Sequence, residues 1–225
     1  MLLILRRCRM LYNKGGMAEL LRGIRDYIHF DLFHSYQDER NDNEVRWEFI
    51  KSHINDKAQS LIDVGCAEGE FAIRAAEIGL NVTGFDSNPG RIRTAQKIGD
   101  KYSNLNFSLA ELSPGTIEEL PESDIILFLT VHHHWTRAYG YDDAAKMFRV
   151  LVKKGRTIFY EPPGHMAIKE SDEHGSLDPA DSIEYYTQLI KSDFGDVVSI
   201  KDIISVEYSS GTNRTDPMFV LESKQ

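Results

Sequence analysis

Residues 60–69, Ser60-Leu-Ile-Asp-Val-Gly-Cys-Ala-Glu-Gly69, decide the fold class of this chain. Leu61, Ile62 and Val64 predict a short buried strand over 61–64, and the small residues that follow predict a tight turn. An apolar pattern over 71–78 then predicts a helix. Glycine lets the backbone approach a ligand closely, and the N–H groups of a helix start face the same ligand. The stretch therefore predicts a ligand-binding turn in a doubly wound α/β domain.

An acidic residue supports this interpretation at the end of the next predicted strand. Residues 81–85 predict that strand, and Asp86 follows it, 17 residues beyond Gly69. A carboxylate in this position is placed to accept hydrogen bonds from both hydroxyls of a ribose. The turn and Asp86 together predict a site for a cofactor that contains a nucleoside.

Strand and helix patterns alternate along the chain, which predicts a parallel sheet with crossover helices on both faces. Turn-rich residues at 209–213 lie between two later apolar segments and predict a C-terminal hairpin. The predicted strands are 60–65, 81–85, 105–109, 124–130, 156–160, 197–208 and 218–221, and the predicted helices among them are 69–79, 88–99, a short one near 114–120, 142–153 and 179–191.

The first 55 residues have a different pattern. Helices are predicted over 15–29 and 43–54, and the aromatic and polar segment between them suits a lid over a ligand, although a packed connector is equally consistent. We therefore predict an N-terminal unit of helices and lid over 1–55, followed by a cofactor-binding domain over 56–225.

The glycine spacing distinguishes between cofactors. Dinucleotide-binding folds use Gly-x-Gly-x-x-Gly, whereas this chain has Gly65-x-x-x-Gly69 with Glu68 inside the turn. A carboxylate there would repel a pyrophosphate but suits a cofactor with an amino acid and a sulfonium. The segment from Asp63 resembles motif I of class I S-adenosylmethionine-dependent methyltransferases, Asp-x-Gly-x-Gly-x-Gly, with Ala67 in place of the middle glycine.

The resemblance implies a Rossmann-like seven-stranded sheet, mostly parallel with an antiparallel C-terminal strand, and helices on both faces. It implies S-adenosyl-L-methionine as the cofactor, with the methionine part at the first strand end, the ribose at the second, adenine at the third and the methyl group at the fourth. The implied cofactor-binding residues are Asp63, Gly65, Cys66, Ala67, Glu68, Gly69, Asp86, Ser87, Ala110, Glu111, Thr130 and Val131.

Composition limits the class and the compartment. A formal net charge of −9 argues against a large non-specific nucleic-acid surface. The two cysteines, Cys8 and Cys66, do not suggest a disulfide scaffold, which favours a reducing cytoplasm. No apolar run approaches the roughly 20 residues of a membrane span. The basic segment 1–25 is interpreted as a helix packed on the domain, with weak peripheral membrane contact as the alternative.

The tract His132-His-His-Trp135 follows the fourth predicted strand and has three interpretations. A metal site with His165 or His174 is disfavoured, because neighbouring residues at a strand end point in different directions and structural zinc needs separated ligands. One core histidine with two solvated ones is the second interpretation. In the third, which rests on the methyltransferase resemblance, His133 faces the transferring methyl group and His134 supports the pocket. We predict no metal.

A more diffuse resemblance extends over most of the chain. Its segments are Phe128-Leu-Thr-Val-His-His-His-Trp, Lys146-Met-Phe-Arg, Tyr160-Glu-Pro-Pro and Arg214-Thr-Asp-Pro-Met-Phe-Val-Leu. Their order is similar to that of methylphosphate-capping enzymes of small RNAs and of bacterial O-antigen chain-terminating methyltransferases. The resemblance implies O-methylation of a saccharide or phosphorylated glycan in polysaccharide biosynthesis. The alternatives are an RNA methyltransferase acting on a terminal phosphate or ribose, and a non-catalytic cofactor-binding partner subunit.

The acceptor determines which side chains the chemistry needs. A hydroxyl acceptor gains from a base that takes its proton, for which His133 is the candidate. A phosphate acceptor is already anionic and instead needs cationic side chains. Tyr36 and Glu161 are further candidates for acceptor binding, with a solvated loop acid as the alternative for Glu161. The candidate cationic clamps are Arg46, Arg137 and Arg214.

Overall fold

The computed structural model describes residues 42–169, 175–207 and 214–224. The predicted helix 15–29, the basic N-terminal segment, Tyr36 and the turn 209–213 lie outside these ranges. The boundary between residues 55 and 56 stays a prediction. None of the helices among the described residues is long and apolar enough to cross a membrane.

Helices and strands alternate through the first two thirds of the described chain. Residues Asn43–Ser52 form the first helix, α1. Two short paired strands, Met166–Ala167 and Gly175–Ser176, precede the last helix. The bounds are β1 Ser60–Val64, α2 Glu70–Glu77, β2 Asn81–Asp86, α3 Pro89–Gly99, β3 Leu105–Leu109, β4 Ser123–Leu129, α4 His132–Tyr139, α5 Tyr141–Lys153, β5 Gly155–Glu161, β6 Met166–Ala167, β7 Gly175–Ser176, α6 Ser182–Asp193, β8 Val198–Glu207 and β9 Thr215–Ser223.

Seven strands form one sheet in the order β3-β2-β1-β4-β5-β9-β8. Strands β1 to β5 pair in parallel, and β9 pairs antiparallel with both β5 and β8. Six strands therefore point one way and β9 points the other. This arrangement confirms the predicted Rossmann-like fold, and it places the start of β9 at the edge where the parallel strands end.

Side chains of the central strands alternate between two apolar cores, one on each face of the sheet. Ile126 and Phe128 face the core with α4, α5 and α6, whereas Ile125 and Leu127 face the core with α1, α2 and α3. Each of these four residues is at most 2% exposed. Burial on both faces explains why β4 is continuously apolar.

Phe107 sets the spacing of one core. A Cβ built on Gly69, Gly84 or Gly99 would lie 2.4, 2.6 or 2.7 Å from its ring. These three glycines let α2, β2 and α3 approach the ring closely, and Gly69 also belongs to the predicted cofactor turn. Packing of the core and shape of the turn are therefore coupled.

Two local predictions need correction. The short helix near 114–120 is a 3-10 turn at Ile117–Glu119. The histidine tract that follows the predicted strand 124–130 begins α4 at His132, a helix that the sequence pattern does not predict. The chain leaves β4 at Thr130, whose φ of 55° is in the left-handed region, so the histidines continue along a helix.

Candidate functional site

The turn between β1 and α2 alternates in backbone conformation. Gly65, Ala67 and Gly69 have φ values of 78°, 50° and 88°. The N–H groups of Gly65 and Cys66 donate to the Phe85 carbonyl oxygen at 2.7 and 3.0 Å, which ties the turn to β2. The left-handed region costs a residue with a Cβ roughly 1–2 kcal/mol, so Ala67 is strained where the family motif has glycine. Strain of this kind is concentrated at functional sites.

Asp86 connects this turn to the end of β2. Its carboxylate accepts from the Ala67 N–H at 3.0 Å and from the Asn88 N–H at 2.8 Å. The backbone carbonyl oxygen of Asp86 accepts a hydrogen bond from the Ala110 N–H at 3.0 Å, which brings the end of β3 next to the end of β2. The neighbouring Ser87 is exposed. Each carboxylate oxygen has two lone pairs, so the bonds within the turn leave capacity for ligand hydroxyls.

Asp63, at the end of β1, is buried beside Asp86. Burial, and then repulsion from Asp86, raise the pKa of Asp63 to about 7, against the opposing effects of Arg46 and the Ala72 N–H. Burial also raises the pKa of the Cys66 thiol, with further contributions from Asp63, Asp86 and Glu68. The thiol is therefore protonated and unreactive.

Glu68 adds a third carboxylate to the turn. Its Oε1 lies 3.9 Å from Arg91 Nε, and its buried Oε2 accepts no hydrogen bond from any part of the chain that the structure describes. Together with Asp63 and Asp86, it gives the turn an excess of negative charge. A cationic ligand would favour the ionised form of Asp63, against the burial and the repulsion from Asp86 that raise its pKa.

Arg46 on α1 and Glu161 at the end of β5 form a buried ion pair. Arg46 Nε and Nη2 both lie 2.7 Å from Glu161 Oε2, and the side chains are 3% and 0% exposed. Arg46 Nη1 donates to Asn43, and Asn43 donates to Glu70 at the start of α2. The alternative of a solvated loop acid for Glu161 is wrong. The predicted roles of Arg46 and Glu161 in acceptor binding stay predictions.

The β4–α4 connection closes the crevice next to the glycine turn. The Thr130 N–H donates to the Glu161 carbonyl oxygen at 2.7 Å. Val131 packs on Gly65 so closely that a Cβ there would lie 2.4 Å from Val131 Cγ2. Val131 thus lies against the predicted cofactor turn, whereas Thr130 bonds to the end of β5. The predicted roles of both residues in cofactor binding stay predictions.

The three histidines have different environments. His132 is fully buried, stacks on Phe148 with a centroid distance of 5.2 Å, and shares a 2.8 Å hydrogen bond between its Nδ1 and the Tyr160 hydroxyl. Burial lowers the pKa of His132 to about 3, so it is neutral. His133 is half-buried and His134 exposed, with ring centroids 4.0 Å apart. His132 is therefore a core residue, and the predicted roles of His133 and His134 at the methyl group stay predictions.

The remaining predicted residues lie around the same edge. Tyr139 on α4 donates to Glu111 Oε1 at 3.4 Å, which joins α4 to the end of β3. Arg137 is exposed on α4, and Arg214 donates to the buried Asp216 at the start of β9. Within the described ranges, no group of three His, Cys, Asp or Glu side chains is arranged to hold a metal ion.

Sequence reasoning misses two contributors to this region. The sequence places Asn43 only at the start of the predicted helix 43–54, although it bonds both Arg46 and Glu70. It marks His165 only as a metal ligand. No local pattern reports such long-range contacts, and the Gly-His pair after Pro163 is the one available signal of a tight loop at a strand end.

Comparison with known proteins gives sequence relatives. The chain matches the methyltransferase-domain family over residues 55–193. The O-antigen chain terminator bifunctional methyltransferase/kinase WbdD of Escherichia coli is 27% identical over 135 residues, which are 56% of this chain and 18% of that protein. The ubiquinone biosynthesis O-methyltransferase of Pseudomonas fluorescens is 24% identical over 183 residues, 74% of this chain and 76% of that protein. The first relative is thus matched over less than a fifth of its length.

Solved structures share the fold. A crystal structure of WbdD has a TM-score of 0.63 at 17% identity, covering 87% of this chain and 42% of that chain. The N-methyltransferase NodS from Bradyrhizobium japonicum, in complex with S-adenosyl-l-homocysteine, has a TM-score of 0.61 at 13% identity, covering 89% of this chain and 98% of that chain. At these identities the structures support the fold alone.

Proposed function

Since the chain belongs to the methyltransferase-domain family and has the class I S-adenosylmethionine-dependent fold, we propose that it transfers a methyl group from S-adenosylmethionine to an oxygen atom of a saccharide or phosphorylated glycan. The family predicted from residues 60–69 is confirmed. S-adenosylmethionine as cofactor agrees with that family and with a neighbour solved with the demethylated product. Both sequence relatives described above are named for methyl transfer, one of them on O-antigen chains and the other to oxygen.

The observation that carries the proposal is the cluster of carboxylates at the glycine turn. S-adenosylmethionine carries a sulfonium and an ammonium group, which suit the excess negative charge of Asp63, Asp86 and Glu68. Asp86 also lies at the strand end where ribose hydroxyls bind in such folds. Gly65 and Gly69 would allow the backbone to approach the methionine part. When bound, the cofactor supplies an electrophilic methyl group on sulfur.

The chain's own contribution to the reaction is alignment and control of one proton. Methyl transfer is an in-line displacement, and well-oriented partners reach effective molarities of about 10⁵ M or more. With a hydroxyl acceptor, His133 would take the proton as the new oxygen–carbon bond forms and the carbon–sulfur bond breaks. With a phosphate acceptor no proton is taken, and the cationic side chains nearby would orient the oxygen instead.

We expect the affinity for S-adenosylmethionine to rise with pH because of Asp63. The pKa of this carboxyl is about 7 in the free protein, and a cationic ligand favours its ionised form, so binding releases a proton. If the ionised form binds, affinity should rise about eightfold between about pH 6 and about pH 7.5. Isothermal titration calorimetry in two buffers of different ionisation enthalpy would measure both the affinity and the released proton.

Asp63→Asn is the matched variant for this experiment, because asparagine has nearly the same shape and no titrating proton. At about pH 7.5 this variant should bind S-adenosylmethionine more weakly than the unchanged protein does. Its affinity should also be nearly independent of pH, because the titrating carboxyl is gone. A pH dependence that survives unchanged in Asp63→Asn would assign the titration to another group.

The acceptor is tested by transfer of a radioactive methyl group. The protein and labelled S-adenosylmethionine are incubated with polysaccharide extracts and, separately, with RNA, and we expect label in the polysaccharide fraction. For a hydroxyl acceptor, His133→Ala should lower kcat by a factor of about 10²–10⁴ without changing cofactor affinity. The control variant His53→Ala, at the end of α1, should leave kcat unchanged. Label in RNA alone would favour the RNA methyltransferase, and cofactor binding without transfer to either would favour a partner subunit.

A further inference from the structure

Three basic side chains meet at the edge of the sheet beside the proposed methyl donor. Arg137 follows β4 on helix α4, His165 follows β5, and Arg214 immediately precedes β9. Strand β9 is antiparallel to β5, so its start lies at the edge where β4 and β5 end. Three segments far apart in sequence thus bring basic groups to the carboxyl end of the sheet.

The loop that carries His165 is held firmly against the start of β9. Gly164 approaches so closely that a Cβ there would lie 1.8 Å from the Thr215 carbonyl oxygen. Its N–H donates to the buried Asp216 at 2.8 Å, and Tyr186 donates to the Pro163 carbonyl oxygen at 3.1 Å. These contacts hold the backbone that precedes His165 against the start of β9.

Asp216 orients Arg214 in the same contact region. Arg214 Nε and Nη2 donate to its two oxygens at 3.0 and 2.7 Å. Asp216 is fully buried and serves Gly164 and Arg214 together. The geometry is that of a built site, with a rigid loop and an oriented guanidinium.

The charge around His165 is positive on balance. Burial, and then Arg214 and Arg137, lower its pKa, while Asp216 has the opposite effect. Its buried Nδ1 has no hydrogen-bond partner within the described ranges. Arg137 reaches this loop as well, with Nη2 3.5 Å from Met166 Sδ. Two guanidinium groups and one carboxylate therefore act on a single imidazole.

We propose that Arg137, His165 and Arg214 form a subsite for an oxyanion of the acceptor, a phosphate or a carboxylate. Guanidinium groups bind such planar or tetrahedral oxyanions with charge-assisted hydrogen bonds, and an imidazole that gains a proton adds a third donor. The inference rests on the proposed function, and it narrows the acceptor to an anionic saccharide.

The experiment is an NMR titration of the His165 imidazole in the full chain, assigned with His165→Asn. The probes are glucose 6-phosphate, gluconate and glucose. An oxyanion should bind, shift the imidazole signal and raise the pKa of His165, whereas neutral glucose should not. The phosphate and carboxylate arms identify which oxyanion the subsite prefers.

Arg137→Gln tests the subsite on an exposed residue whose change does not threaten folding, and it should weaken oxyanion binding about tenfold. Arg214→Gln, which can still donate to Asp216, should weaken it at least as much. Arg156→Gln is the matched control, because Arg156 is 81% exposed in its side chain and lies at the opposite end of β5. Equal binding of glucose, or unchanged affinity in both subsite variants, would overturn the proposal.

A cofactor-site variant separates this inference from the proposed function. Asp86→Ala should lose S-adenosylmethionine binding and keep oxyanion binding at His165. Oxyanion binding without methyl transfer to any saccharide would refute the proposed function and leave the subsite. Methyl transfer to a neutral saccharide without oxyanion binding would refute the subsite alone.

Discussion

Arg46→Met is expected to lower the free energy of unfolding by about 3–5 kcal/mol. The substitution keeps most of the side-chain volume and removes the charge that is paired with Glu161. Glu161 is fully buried, and an uncompensated buried carboxylate is among the most costly defects in a protein. Urea unfolding followed by circular dichroism measures the loss, which should appear in the midpoint with little change in slope.

A double variant distinguishes loss of the pair from loss of packing. Arg46→Met with Glu161→Leu removes both charges, and replacement of both partners of a buried pair is often nearly neutral, so most of the stability should return. Lys146→Met is the control for an exposed pair, since Lys146 and Asp143 are 74% and 47% exposed, and it should cost under about 1 kcal/mol. A double variant no more stable than Arg46→Met would mean that the arginine side chain, whose guanidinium carbon lies 4.7 Å from the Phe71 ring centroid, carries the effect through its packing.

The same substitution has a consequence at the cofactor turn. Arg46 opposes the burial and repulsion that raise the pKa of Asp63. Without that charge the pKa of Asp63 should rise further, and the pH at which S-adenosylmethionine affinity increases should move upward with it. Arg46 does not belong to the cofactor turn, but its charge lowers the pKa of Asp63. Helix α1 therefore influences the electrostatics of the cofactor site through Arg46.

The strand pattern could be predicted from sequence because β4 and its neighbours are buried on both faces. The continuous apolar run at 125–129, and the run at 61–64 that only Asp63 interrupts, leave few alternatives once helices alternate with them. The strand order then follows from the family. The antiparallel last strand was expected from the same resemblance. Asp63 and Asp86 could be placed at the crevice because each comes at the end of a strand.

The ion pair and the start of α4 could not be predicted in the same way. Arg46 and Glu161 are 115 residues apart, and no local pattern distinguishes a buried pair from two surface charges. The sharp turn at Thr130 depends on its contact with Glu161 and on Val131 packing against Gly65. A threonine rarely adopts positive φ, so the sequence predicts a strand that ends at residue 130 but not the sharp turn into a helix.

Gly69→Ala is expected to cost about 2–5 kcal/mol of stability and to weaken S-adenosylmethionine binding by more than about tenfold. Two effects combine at this position. The φ of Gly69 is 88°, which costs a residue with a Cβ roughly 1–2 kcal/mol. The new Cβ would also lie 2.4 Å from the Phe107 ring, and overpacking of a core costs about 1–3 kcal/mol. Relaxation would move the start of α2, next to the proposed cofactor site.

Two other glycines separate these effects. Gly79 has a φ of 97°, and a Cβ added there would have no atom within 4 Å, so Gly79→Ala should show the cost of backbone strain alone, about 1–2 kcal/mol, with normal cofactor affinity. Gly84 has no positive φ, but its Cβ would lie 2.6 Å from Phe107, so Gly84→Ala should show the cost of overpacking alone. Thermal unfolding and calorimetric titration of the three variants provide both measurements.

Phe107→Leu in the Gly69→Ala background tests the coupling directly. The smaller side chain should relieve the clash, so that part of the lost stability returns even though Phe107→Leu alone is destabilising. If cofactor affinity returns with stability, the core sets the shape of the turn through Phe107. If stability returns and affinity does not, the positive φ of Gly69 is itself what the cofactor site requires. Were Gly69→Ala to cost no more than Gly79→Ala, the close packing of Gly69 on Phe107 would contribute nothing measurable to the fold.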